Sequence, residues 1–204
     1  MKRNFFTSIL IIALLAGCAS NKIDYFSVYT SPEYDGPEIT APLQIVLSEG
    51  IEDQFILSKQ YLSKDYLVSD FRKTVTKNIQ NTFKKSFTSV SIVDQLSNDG
   101  LVLVINRVNP EPYMPSVDKH DASIKECITL NCSLFTLYQY DFTLYENGKE
   151  INNWKRNLLS IAYVRNIGLY KGTFKYGLRT MCEDISEKIL VDNELSYLVS
   201  ETTQ

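Results

Sequence analysis

Apolar side chains recur along this chain with two periods, and the switches between them outline a fold. In "PLQIVLSE" Leu43, Ile45 and Leu47 share one side of an extended chain, as a half-buried first core strand requires. From Lys64 to Phe87 the spacing lengthens. Leu67, Val68, Phe71, Val75, Ile79, Phe83 and Phe87 are mostly four apart, which predicts an amphipathic helix with Ser63 as its N-cap. "SVSIVD" reads as a short strand. "GLVLVINRV" runs from Leu101 to Ile105 without a polar break, the pattern of a central strand covered on both faces.

"NPEPYMPSVDKHDASIKE" holds three prolines and six charged side chains and predicts a long excursion from the sheet. Alternation then returns. Tyr138, Tyr140, Phe142 and Leu144 share a face opposite Gln139, Asp141 and Thr143, and Asn147-Gly148 supplies the positive φ angles of a tight hairpin. The return strand continues through "LLSIAYV", with a bulge expected where Asn152, Asn153, Lys155 and Arg156 break the pattern. Finally, Phe174, Leu178, Met181, Cys182, Ile185 and Ile189 recur at helical spacing behind Thr173, a candidate cap. The order of strand, helix, several antiparallel strands and helix predicts an α+β two-layer sandwich, a mainly antiparallel sheet packed against two helices.

The first 42 residues follow neither pattern. A basic start (Lys2, Arg3), an apolar run from Ile9 to Leu15 and small residues have the layout of a secretory signal peptide, too short to span a bilayer. From Ala19 to Pro42, Pro32, Gly36, Pro37 and Pro42 suit an extended tether, which at about 3.3 Å per residue would reach roughly 80 Å. Its "DYFSVYT" is also rich enough in aromatic and β-branched residues to pair as an edge strand. The divisions expected are therefore 1–17 signal peptide, 18–42 modified N-terminus and tether, and 43–204 a single domain.

Leu15-Ala16-Gly17-Cys18 resembles the lipobox of bacterial lipoproteins. The resemblance implies that Cys18 receives diacylglycerol on its sulfur and becomes the first residue of the mature chain, anchored by two or three acyl chains including palmitate. Neither Ala19 nor Ser20 is the aspartate that marks inner-membrane retention in enteric lipoproteins, so the resemblance points to the outer membrane with the body on its periplasmic face. Removing residues 1–17 takes Lys2 and Arg3 and no acid, so the formal charge falls from −3 to −5. A mildly acidic chain gives no reason to expect nucleic acid as a partner. At 44% apolar and 12% aromatic it carries enough material for a sizeable core.

Four cysteines and one histidine bound the chemistry. In an oxidising periplasm Cys127 and Cys132, four residues apart in "ECITLNCS", are candidates for a disulfide staple, and a Cys132–Cys182 bridge is the alternative. Cys182 on an apolar helix face reads as a buried thiol. His120 in "DKHD" reads as solvated loop, and no phosphate loop, nucleophile elbow or zinc-binding helix motif is present. No catalytic residue, metal or cofactor is assigned. Two surfaces remain as candidates for partners: Arg72, Lys73, Lys77, Lys84 and Lys85 on the first helix, and the aromatic-rich Tyr113, Met114, Tyr163 and Tyr170, which serve as a patch if exposed and as core if buried.

By order of elements, the mature chain resembles small envelope lipoproteins that serve transport or assembly machines, such as auxiliary lipoproteins of lipid-transport systems and the plug lipoprotein of lipopolysaccharide export. Apart from the lipobox no motif carries the likeness, so no family's binding residues transfer. The function this implies is a non-catalytic, membrane-anchored binding or assembly subunit with an envelope protein as partner. The alternative is a carrier that encloses lipid between helices and sheet.

Overall fold

Why the chain folds into two packed layers is visible in a computed structural model, which describes residues 21–28, 30, 38–59, 62, 64–114, 134–159 and 170–191. The strands are β1 (Lys22–Ile23), β2 (Leu43–Leu47), β3 (Phe55–Leu57), β4 (Tyr66–Val68), β5 (Val90–Ile92), β6 (Leu101–Tyr113), β7 (Phe135–Glu146) and β8 (Lys149–Leu159). The helices are α1 (Phe71–Phe83) and α2 (Tyr170–Leu190). The α+β class is as the periodicities predict.

The sheets are mixed. A five-stranded sheet runs β5-β2-β6-β7-β8, in which β2 pairs parallel with both β5 and β6 while β6, β7 and β8 are antiparallel. The parallel part follows from α1, which lies between β2 and β5 in the chain and returns it to the same edge. A second, three-stranded sheet runs β1-β4-β3, with β1 parallel to β4. β6 is the central strand expected, and Val102 is fully buried on its second face.

Aromatic rings fill the space between helices and sheet. Phe174 of α2 meets Tyr138, Phe71 and Phe26 with ring centroids 5.8, 6.1 and 5.9 Å apart, and Phe142 stacks on Trp154 at 4.8 Å. A latch closes the outer end of the layer. Tyr140 donates to Asp184 Oδ2 at 2.5 Å, and Arg156 donates to Asp184 Oδ1 at 2.9 Å, tying α2 to β7 and β8.

Several local expectations are corrected. The first helix starts at Phe71, because Asp70 takes a left-handed φ of 54° and Tyr66 and Val68 are buried as alternate residues of β4. Its N-cap position is Asp70, which makes no side-chain cap bond; Asp53 supplies the acceptors instead, its carbonyl and carboxylate taking the Phe71 and Arg72 amides at 3.0 Å each, and Ser63 lies outside the described residues. α2 begins at Tyr170, and Thr173 is inside it, donating back to Tyr170 O at 2.9 Å. "NPEPY" belongs to β6. Pro110 and Pro112 stand opposite Tyr138 and Thr136, a position open to proline where its nitrogen faces away from the paired strand. The bulge in β8 falls at Ile151, one residue before the expected break. The hairpin turn has φ of 50° at Asn147 and 75° at Gly148, as predicted.

Part of the stretch read as a tether runs along the body. Lys22 and Ile23 pair with Leu67 and Val68, Phe26 is buried against α2, and Val28 and Thr30 bond to α1. Among the described residues of this stretch, strand pairing is through "KI", and residues 24–28 and Thr30 lie outside a strand.

Candidate binding surface

β2 ends at Leu47, and the amide of Ser48 makes the last bond to β6, at Ile105 O, 3.0 Å. β6 shifts register between Ile105 and Arg107 and, among the described residues, runs on with β7 alone. β3 is likewise an edge strand, paired only with β4 among the described residues. The two open edges bound a cleft of about 470 Å³, lined from Phe55 to Lys59 on one wall and from Arg107 to Pro112 on the other. A strand seen face-on contributes alternate residues; consecutive lining residues mean that both strands present their edges. Ile56, 65% exposed, is the apolar feature of the wall, and Lys59 meets Glu111 across the cleft at 3.9 Å. Proline supplies no N–H, so the β6 edge is poor in donors and protected against indiscriminate pairing.

Arg72 sets the geometry of this cleft. Its Nη1 donates to Ser48 O at 2.6 Å and Ile51 O at 2.9 Å, and its Nη2 to Leu47 O at 3.3 Å, which fixes the turn between β2 and β3. Arg72 is thus separated from the basic set to which its sequence position assigned it. Lys73, Lys77, Lys84 and Lys85 are exposed, and Lys73, Lys77 and Lys84 follow one stripe. Lys77 and Lys84 border a groove of about 420 Å³ that continues to Val90 of β5.

Tyr170 and Met114 are core; Tyr113 is half-buried, and Tyr163 lies outside the described residues. Cys18, His120, Cys127 and Cys132 also lie outside them. Cys182 is a free, buried thiol, and burial pushes it up to about 12. Burial likewise raises Tyr138 and, with Asp184 beside it, Tyr140; Asp184 raises Arg156. Among the described residues no group of His, Cys, Asp and Glu is placed to hold a metal, and no helix is long and apolar enough to cross a membrane.

The open face of the sheet carries a network that the alternation of β7 left as bare polar positions. Asn106 and Asn153 both donate to Thr143 Oγ1, at 2.8 and 2.6 Å, and Arg107 and Asn109 both donate to Gln139 Oε1, at 3.1 and 3.3 Å.

No family model and no curated protein matches the sequence. Solved structures do. Protein XCC0632 from Xanthomonas campestris, of family DUF330, aligns over 86% of this chain and 98% of its own with a TM-score of 0.52 and 9% identity. A neuraminyllactose-binding hemagglutinin homolog from Helicobacter pylori aligns over 86% and 97% with a TM-score of 0.51 and 11% identity. These likenesses establish a shared fold and nothing finer. A minor lipoprotein from Acinetobacter baumannii, at 10% identity over 76% and 95%, has a TM-score of 0.42, too low to equate the folds.

Proposed function

We propose that the protein is a lipid-anchored lipoprotein of the bacterial envelope, held through Cys18 on the periplasmic face of the outer membrane, that acts without catalysis as a binding or assembly subunit. The partner is another envelope protein, and it offers an extended segment to the cleft between β3 and β6. The observation that carries this reading is the pairing of two open strand edges around one cleft, with exposed Ile56 as the apolar anchor. Strand addition draws affinity from main-chain bonds and specificity from side-chain pockets. Here β3 supplies the pairing edge, while Pro110 and Pro112 leave β6 as a wall. Lys59 and Glu111, facing each other across the cleft, give an incoming segment one charge of each sign at the same level.

The lipid-carrier alternative asks for space between the layers. That space holds Tyr138, Phe142, Phe71 and Phe174 in mutual ring contact or fully buried, which favours the surface cleft over an internal lipid site.

The test places a photo-crosslinking residue at position 56 in the full-length protein in cells, with position 96, an exposed leucine remote from the cleft lining, as control. The expected result is one discrete envelope-protein adduct at 56, mapped to an extended segment of the partner and absent from 96. Lack of any adduct at 56, or equal adducts at both positions, contradicts the reading.

A further inference from the structure

We infer that the outer face of the helix layer rests on the anionic phospholipid leaflet in which Cys18 is anchored, so that the body lies on the membrane rather than on a long leash. The orientation rests on the reading that Cys18 is acylated. The first body residue, Lys22, is already paired with Leu67 in the sheet, and only Ala19, Ser20 and Asn21 separate it from Cys18. Four residues at about 3.3–3.6 Å each hold the start of β1 within roughly 14 Å of the acylated sulfur.

From Lys22 the chain runs as a strap over both helices. Val28 N donates to Asn78 Oδ1 at 2.7 Å on α1, and Phe26 packs on Phe174 of α2. The strap is thus fastened to both helices, and the exposed side chains around it have the composition of a membrane interface. Tyr25 is 39% exposed with Lys73 Nζ 4.9 Å from its ring centroid, and Tyr176 is 48% exposed with the Arg179 guanidinium at 6.0 Å. Lys175 stands 5.1 Å from the Phe26 ring. Between Lys73 and Lys85 the chain carries four exposed lysines and no acid, although the protein as a whole is acidic. Two acids beside the strap are paired, Asp24 with Lys22 at 2.8 Å and Glu183 with Arg179 at 2.9 Å, while Glu187 of α2 stands exposed one turn further on.

Lysines near a negatively charged leaflet are attracted within about one Debye length, and tyrosine rings settle at headgroup depth. A strap held this close to its lipid anchor brings both within range. The same placement leaves the cleft and the open sheet face for other partners.

The test uses the acylated full-length protein in vesicles of phosphatidylglycerol or of phosphatidylcholine, each with spin-labelled headgroups. Tryptophan replaces Tyr25 in a Trp154→Phe background, and intact mass reports acylation in the same sample. At least a twofold quenching of the position-25 tryptophan in phosphatidylglycerol, lost in phosphatidylcholine, at 0.5 M salt and in a Lys73→Glu/Lys77→Glu/Lys175→Glu variant, supports the inference. An acylated protein with no quenching, or with equal quenching in both lipids, overturns it and leaves the lipoprotein reading intact. Selective quenching without any acyl mass supports the face and overturns the reading of Cys18.

Discussion

Asn78 grips the N-terminal strap from both sides: its Oδ1 accepts from the amide of Val28 at 2.7 Å, and its Nδ2 donates to the carbonyl of Phe26 at 2.9 Å. Asn78 is buried in the middle of α1, where an amide would otherwise be costly. With these bonds, and a third to Thr74 O at 2.6 Å, its polar groups are used and the strap is fastened to the body. Replacing Asn78 by Leu removes both anchoring bonds and leaves Val28 N and Phe26 O without that partner. The expected cost is about 2 kcal/mol. Amide exchange at residues 22–28 should accelerate well beyond that of β6 and β7; uniform acceleration would show that the strap is no separate unit.

Arg72 offers a sharper contrast. Its three bonds to carbonyls of the β2–β3 turn are charge-assisted, so Arg72→Met should cost roughly 2–3 kcal/mol in denaturant unfolding. Lys77, exposed on the next turn with its ammonium donating to Gln80, should tolerate alanine within about 0.5 kcal/mol. Arg72→Lys should recover little, since one ammonium cannot span carbonyls that a planar fork reaches together. Equal costs at 72 and 77 would return Arg72 to the surface set.

At the open edge of β6, prolines 110 and 112 act by what they lack. Substituting both with threonine gives the edge two more N–H groups facing the cleft. Self-association should increase, with sedimentation velocity at tens of micromolar detecting a larger species than the parent protein forms. A folded variant that sediments as the parent does would mean that the edge is guarded by something else.

Buried Cys182 gives stability a dependence on pH. Its ordinary value of 9.0 rises to about 12 in the folded protein because burial disfavours the thiolate. Above pH 9 the unfolded chain releases this proton and the folded one keeps it, so the unfolded state gains and stability falls toward pH 12. Below pH 9 the group contributes no slope. At pH 8 the thiol should resist alkylation until the protein unfolds, as peptide mapping of labelled protein would report. Labelling at the rate of an exposed cysteine would contradict its burial.

The sequence made the layers legible because both periods survive in the structure, in Leu43, Ile45, Val75, Ile79, Phe142 and Ile185 alike. Boundaries were lost where one residue overrides a run: Asp70 at positive φ separates β4 from α1, although Leu67 and Val68 continue the helical spacing. "NPEPY" read as loop because composition does not reveal which side of a strand a proline nitrogen faces. Arg72 resembled its neighbouring lysines because its partners are backbone carbonyls 21 to 25 residues away. The cleft left no local signal, since its two walls come from strands about fifty residues apart that only the end of β2 leaves unjoined.

Anchoring through Cys18 underlies both the proposed role and the orientation of the body, and the intact mass of the protein extracted from cell membranes tests it most directly. The expected chain begins at Cys18 and carries the added mass of a diacylglycerol with its amide-linked acyl group. A chain that retains residues 1–17, or one that starts at an unmodified Cys18, would contradict the account.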